Sequence, residues 1–450
     1  MKIRKVKWKE HPVLGDLLLD FINAATGQPY GTIIFAGENG TGKSTILEDI
    51  SSILNLGSFE KFEYVEYAVN GSSYKAIPTS DGTVHPNFFD VINPDGTTQR
   101  IRSDKNNNPN QLKENPLDLR HYGCVFSKAR SDYKTQKISH TSTSALDAEK
   151  YDTDVNDDFT SLKQLIVDVV NQDNADYMET NKLLGAAPKA WRDYYPTSKI
   201  YRFKNSFDTF FESLAFEKVH DEADEKTIKF TKNGKSIPID KLSTGEKQIV
   251  FRGIFLLKNN GVLENAAVMI DEPELSMHPK WQEKILQYYT GLFTSDHGVQ
   301  KAQLFFATHS DHVLKYALAD QINNLVIVLE RDGETIKTKK IDSPSVLPSI
   351  TSAETNFLAF DLISNDYHIE LYGWLQDKES RNSVKSCDDF INAQQHYHPA
   401  IHAKPSNFGT TNYRSLPTYI RNAIHHPDSG NTFTRAELRT SIDLLIELCK

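Results

Sequence analysis

The chain has 450 residues, 25% of them charged and 38% apolar, which leaves room for two or three domains. Its formal net charge of −9 excludes a surface that coats nucleic acid with general positive charge, though not a local basic groove. No apolar run approaches the roughly 20 residues that span a bilayer, the amino-terminal Met1-Lys-Ile-Arg-Lys-Val-Lys-Trp8 alternates charged and apolar residues instead of opening a signal peptide, and Cys124, Cys387 and Cys449 form no C-x-x-C pair. A cytoplasmic protein without a membrane partner is the expectation.

In chain order, Lys2 to Glu10 and Leu14 to Phe21 predict a strand pair. Thr32-Ile-Ile-Phe35 predicts a strand that runs into Gly37, Glu38, Asn39, Gly40, Thr41, Gly42, Lys43, Ser44 and Thr45. This segment fits G-x-x-x-x-G-K-[ST], and Ile46-Leu-Glu-Asp-Ile50 opens a helix behind it. Gly37, Gly40 and Gly42 permit backbone conformations closed to other residues, so successive N–H groups can turn inward toward phosphate oxygens. The helix N-terminus adds partial positive charge. Lys43 can reach the terminal phosphates, and the Ser44 hydroxyl can hold Mg²⁺. A plain glycine-rich turn is the bland alternative, and the strand and helix on either side argue against it.

Residues 57 to 120 predict a β-rich lobe, with hairpin signals at Asn70-Gly71, Asp81-Gly82 and Asp95-Gly96 and a polar loop from Ser103 to Asn110. His121 to Phe126 predicts a strand, followed by Ser127 to Tyr133. Residues 137 to 215 predict a mostly helical insert that is loop-like up to residue 158 and helical in period from Phe159 onward. Leu242-Ser-Thr-Gly-Glu-Lys-Gln248 precedes a helical run, Ile249 to Leu257. Two short apolar runs then end in polar chemistry: Ala266 to Ile270 closes on Asp271-Glu272-Pro273, and Gln303 to Thr308 closes on His309. Buried parallel strands deliver residues to the carboxyl edge of a sheet in this way. Alone, Asp271-Glu272-Pro273 could cap a helix, His309 could be a satisfied loop residue, and Leu-Ser-Thr-Gly is a weak signal. All the motifs in this order argue together. Asn324 to Glu330 and a hairpin at Asp332-Gly333 close the unit near residue 345.

In this order the motifs resemble the ABC-type ATPase head shared by transporters and SMC-like DNA-repair proteins. The resemblance implies an α/β fold: a P-loop head over residues 1–345, made of a mixed sheet with an antiparallel β lobe and a helical subdomain, and a C-terminal helical domain over 346–450. It implies ATP and Mg²⁺ as cofactors. Asp271 would be the Walker B aspartate, supporting Mg²⁺ with Ser44 or through a water. Glu272 would be the catalytic base and His309 the switch histidine that senses the γ-phosphate. Leu242 to Gln248 resembles the signature loop L-S-G-G-Q, departing from it at Thr244 and Glu246 while keeping Gly245, as SMC-like members do. In such heads Ser243, Thr244, Gly245 and Glu246 close on the nucleotide of a partner head, so the expected unit is a homodimer or a higher even oligomer. Glu274-Leu-Ser-Met-His-Pro279 takes the place of the D-loop and resembles the D-E-P-E-x-x-x-H-P run of SMC-like and phage-defence ATPases. A transporter would place a Mg²⁺-binding glutamine near residue 130. Gln136 is a weak candidate, and Arg130 either faces phosphate or a partner or is an ordinary paired surface arginine. No heptad repeat supplies coiled-coil arms.

In the tail, residues 353–362, 367–376 and 434–448 carry helical spacing, and Thr434 with Glu437 forms a capping box. Arg421, Asn422 and His426 form R-N-x-x-x-H, which resembles the RNase motif of HEPN-type toxins. The bland alternative is a helix end pinned before Pro427. The tail is expected to be a partner-docking or HEPN-like module. His396, His398 and His402 fit a solvated loop better than a ligand set. With no acidic nuclease cluster, the overcoming-lysogenization family fits poorly. The whole arrangement resembles the PtuA-type ATPase subunits of Septu and retron-associated antiphage systems. That implies an ATPase controlling a separate HNH-type nuclease, with contact to nucleic acid open. Two alternatives stand beside it: a self-contained ATPase-RNase, and a DNA-repair-type SMC-like ATPase.

Overall fold

The computed structural model describes residues 1–79, 88–104, 113–143, 145–153, 159–183, 188–295, 297–341 and 346–450. Its centre is a seven-stranded sheet ordered Thr335–Ile341, Asn324–Asp332, Thr32–Gly37, Gln303–Ala307, Ala267–Asp271, Cys124–Ser127 and Tyr151–Thr153. The first strand is antiparallel to its neighbour, and all the others pair in parallel. The central strands are apolar on both faces because both faces are covered, as parallel sheets require.

Alternation along these strands divides the head into two cores. Ile33, Phe35, Met269 and Phe305 face the Walker helix, Lys43–Leu56, and beyond it a six-stranded antiparallel sheet. The helix buries Ile46, Leu47, Ile50, Ile53 and Leu54 on one stripe and ends at Gly57, whose left-handed backbone (φ 68°) closes a bond to the Ile53 carbonyl. Each of these side chains contributes about 1.5–3 kcal/mol by burial. On the other face, Ile34, Val268, Ile270 and Phe306 pack on Phe159–Leu183, Lys199–Phe210, Thr244–Leu257 and Pro279–Leu292.

The amino-terminal strand Lys2–Trp8 pairs with Leu18–Asp20, as its alternation predicts, but both join the antiparallel lobe. The Trp8 indole donates to Asp49 Oδ2 (3.0 Å) and so stitches that lobe to the Walker helix. Asn70 and Gly71, both at positive φ, turn Phe62–Val69 into Ser72–Pro78, and Asp95-Gly96 lies between Phe88–Ile92 and Thr98–Arg102. Asp81-Gly82 lies outside the described residues, as do residues 105–110 of the polar loop. A small sheet of Leu214–Asp221, Lys226–Lys232 and Lys235–Pro238 leads into the signature loop.

The C-terminal segment has its own core, built on Tyr367, Leu371, Leu375, Ile420, Ile442 and Leu445. Its helices enclose a two-stranded hairpin, Ala403–Phe408 with Thr411–Ser415. The capping box of Thr434 and Glu437 starts its last helix, Arg435–Cys449. Ser352–Phe360 bridges the two parts: Leu358 and Ala359 belong to the head core, while Phe357 also packs on the C-terminal core. No described helix is long and apolar enough to cross a membrane.

Candidate active site

The Walker strand is buried along its whole length. At its end Gly37 adopts φ 134°, and a Cβ there would stand 2.3 Å from the Leu329 carbonyl oxygen. Gly42, at φ 92°, is the N-cap of the Walker helix, and a Cβ there would stand 2.5 Å from Leu14 Cδ2. No side chain caps this helix, so its first N–H groups are left at the loop, where an anion would satisfy them. Lys43 arches back over the loop, and Nζ donates to the carbonyls of Gly37 (2.9 Å) and Glu38 (2.8 Å). Burial lowers its pKa to about 8, against the opposing pull of Asp271, Glu272 and Glu274.

The strand Ala267–Asp271, two places across the sheet from Thr32–Gly37, brings the acidic residues to the same edge. Ser44 Oγ donates to Asp271 Oδ1 at 3.1 Å, a contact across 227 residues of sequence. Burial raises the Asp271 carboxyl, the Ser44 bond opposes this, and the neighbouring Glu272 raises it further. A hydroxyl and a carboxylate with free lone pairs fit Mg²⁺, which prefers oxygen and completes its octahedron with phosphate and water. The described residues hold no cluster of three or more His, Cys, Asp or Glu that would form an all-protein metal cage. The glycine cradle and this oxygen pair therefore fit a nucleotide with its magnesium.

Glu272 adopts φ 43°, a left-handed conformation that costs a non-glycine residue roughly 1–3 kcal/mol. Two bonds hold it there: its N–H donates to the Ala307 carbonyl (2.9 Å), and its carbonyl accepts from Arg252 Nη1 (3.2 Å). Its Oε1 lies 3.8 Å from His309 Nε2, and both side chains are about one-third exposed (33% and 32%). Burial and Lys43 lower the His309 pKa, so the imidazole is neutral near pH 7 and keeps one donor and one acceptor nitrogen.

Three residues outside the predicted set hold this geometry. Glu274, nearly buried, accepts from Thr308 Oγ1 (2.7 Å) and from the His309 N–H (2.8 Å), so it fixes the backbone of His309. Arg252, 2% exposed, joins the Glu272 carbonyl to that of Lys128 (2.7 Å). Gln248, fully buried, lies between Arg252, the Arg130 carbonyl and the Tyr133 hydroxyl, with its amide nitrogen toward Arg130. Gln136 is tied through its backbone to the helical insert, at Thr160 and Lys163. Nearer Ser44 and Asp271, Lys128 binds Glu48 (2.8 Å), which stands four residues beyond Ser44 on the helix Lys43–Leu56.

Ser243 caps the helix Thr244–Leu257 in a capping box with Glu246, whose other oxygen meets Lys232. A Cβ on Gly245 would stand 2.8 Å from the Ser276 carbonyl, so the signature loop packs on the segment after Glu274. Thr244 begins the helix without disturbing the cap. Among the described residues, Ser243 and Glu246 make no hydrogen bond to residues 37–45.

In the tail, Arg421 donates to Asn422 Oδ1 (3.1 Å), and His426 is the C-cap of Leu416–His425. Burial, Arg421 and His426 lower the pKa of His425, which places the three at one helix end. His402 Nδ1 accepts from the His398 N–H (2.9 Å) and so pins a short helical turn. All three cysteines are buried and free.

Residues 33–315 match the family model described as "AAA domain, putative AbiEii toxin, Type IV TA system". The chain is 27% identical over 364 residues to "Retron Vc95 probable ATPase" of Vibrio cholerae serotype O1 biovar El Tor, a match that covers 66% of this chain and 69% of that protein. It is 26% identical over 320 residues to "Septu protein PtuA" of Bacillus thuringiensis, covering 68% and 72%. A solved "SMC head domain from Thermotoga maritima" overlays with a TM-score of 0.40 at 12% identity, covering 76% of this chain and 100% of that one.

Proposed function

This chain belongs to the family described as AAA domain, putative AbiEii toxin, Type IV TA system, and is an ATPase, and we propose that it closes as a homodimer around ATP to govern a separate nuclease in antiphage defence. The loop N–H groups and Lys43 grip the phosphates, while Ser44 and Asp271 would hold a magnesium ion, which would supply charge neutralisation at the phosphates. Glu272 orients and deprotonates the attacking water, and the neutral His309 contacts the terminal phosphate. Arg252 and Glu274 hold those two groups in register. The observation that carries this reading is the strained Glu272 facing His309 at 3.8 Å across adjacent strand ends.

Glu272→Gln tests it. ATP binding survives, turnover falls by about 10²–10⁴, and ATP-bound dimers accumulate. Unchanged hydrolysis removes Glu272 as the base. The Septu and retron names of two relatives support the defence role. Asn356 on the bridging helix donates to Asp311 (3.2 Å), two residues beyond His309, a contact that supports coupling between the ATPase site and a nuclease docked on the C-terminal part. Co-purification with the product of a neighbouring HNH gene checks this, and its failure to bind removes the partner.

One observation favours a second reading. Arg421, His425 and His426 gather at a single helix end, which suits RNase chemistry shared between two copies. Cleavage of tRNA by the purified protein, abolished by His426→Ala, would establish it.

A further inference from the structure

We propose that Lys232 is the counter-charge that lets the Ser243 loop accept the terminal phosphate of a nucleotide held by a second copy of the chain. The inference rests on the dimer reading above and assigns its trans contact a residue outside every motif. In the structure, the Ser243 hydroxyl and N–H both donate to Glu246 Oε2, each at 2.8 Å. Glu246 is 4% exposed, whereas a capping-box glutamate ordinarily sits at the surface of the first turn. Burial raises its pKa, yet Lys232 and the Ser243 donors outweigh that and leave the carboxyl below its usual range, hence ionised.

A phosphate that accepts a bond from the Ser243 hydroxyl therefore arrives one hydrogen bond from a carboxylate. Like charges at that separation in a half-buried site repel strongly. Lys232 Nζ lies 2.7 Å from Glu246 Oε1, on the side away from Ser243. It cancels the carboxylate charge while Oε2 keeps the Ser243 N–H. The hydroxyl is then the exchangeable donor, free to turn from Glu246 to phosphate. A neutral glutamine, the usual residue of the transporter loop, would need no such cation.

Lys232 ends the strand Lys226–Lys232, just before the Asn233-Gly234 turn, with its side chain 36% exposed while its partner Glu246 is buried. Removing Lys232 therefore strands a buried carboxylate beside the Ser243 loop.

The test uses the full chain carrying Glu272→Gln, so that closed dimers persist. ATP-dependent dimerisation is followed by sedimentation, and ATP affinity is measured separately at protein concentrations where the chain is monomeric. Lys232→Met is expected to weaken dimerisation by roughly tenfold or more while leaving the monomer's ATP affinity within about twofold. Adding Glu246→Gln to Lys232→Met removes the stranded carboxylate and is expected to restore dimerisation. Lys232→Arg keeps the charge and is expected to match the parent, which covers the case in which the methionine variant folds poorly. The proposal is overturned if Lys232→Met dimerises like the parent, if the double variant stays as weak as Lys232→Met, or if Lys232→Arg fails like methionine. If the Glu272→Gln parent itself forms no ATP-dependent dimer, the dimer reading fails first and this proposal falls with it.

Discussion

Two buried aspartates, one in each part of the molecule, separate chemistry from scaffolding. Asp388 in the C-terminal core is fully enclosed and accepts from the Arg414 N–H, the Ser415 N–H and the Ser415 hydroxyl, so its lone pairs are occupied by the fold. Asp271 in the head is also buried, but among the described residues it accepts from a single hydroxyl, Ser44, and the charges around it include those of Glu272, Glu48, Arg252 and Lys43. The first arrangement specifies a core. The second is stable only at some cost, and a divalent cation with its phosphates relieves it. The same contrast holds for backbone: the C-terminal helices start on side-chain caps at Thr351, Ser364, Ser383, Ser415 and Thr434, whereas the Walker helix starts on a bare glycine.

The largest effect that could break this contrast is at Lys43. Lys43→Ala should lower nucleotide affinity by about a hundredfold or more, measured by titration calorimetry, since a buried charge-assisted contact to phosphate is lost. Unchanged affinity would contradict the phosphate-loop assignment. Next comes Arg252→Lys, which keeps the charge but loses the fork that joins the Glu272 and Lys128 carbonyls. Turnover should fall by roughly tenfold to a hundredfold with KM nearly unchanged, because the loss falls on Glu272, the proposed base, and not on substrate grip. A rise in KM alone would place Arg252 in nucleotide binding.

At neutral pH the smallest effect belongs to the scaffolding side, because it emerges only on acidification. His368, fully buried with Nε2 against Ser441 Oγ (2.9 Å), has its pKa lowered by burial from 6.5 to about 3. Its folded-state pKa lies below the unfolded value, so the unfolded chain binds the extra proton. The C-terminal part should therefore lose stability as pH falls from about 6.5 toward 3, by up to roughly 1.4 kcal/mol per unit. Thermal melts of His368→Gln, which cannot titrate, should show a flatter acid limb. An acid limb as steep as the parent's would remove His368 as its cause.

The phosphate loop, Asp271, Glu272 and His309 were legible in sequence because each is a local strand-to-turn event with its own residue signature. The contacts that hold them were not. Glu274 acts on Thr308 and His309 across 34 and 35 residues of chain, a distance no local pattern spans. Arg252 left a trace as the one charge inside the apolar run Ile249 to Leu257, a signal that points to a buried partner without naming it. The sheet at 214–238 escaped because lysines and acids fill its exposed positions, so apolar alternation is weak. The hairpin at 403–415 is short and polar for the same reason. The amino-terminal strand pair was readable as strands, but its partner sheet was set by packing of Trp8 and Leu19 on the Walker helix face, which alternation alone does not specify.

The central claim is that a triphosphate lies between the Gly37–Ser44 cradle of one copy and the Ser243 loop of another. Mixing two inactive variants, Lys43→Ala and Ser243→Arg, tests it most directly. Each alone should be dead. In a mixed dimer, one interface combines the intact cradle of one chain with the intact Ser243 loop of the other, so ATP turnover should reappear on mixing, at up to about a quarter of the wild-type rate. A mixture as inactive as its components, or full turnover by Ser243→Arg alone, would contradict a site shared between subunits.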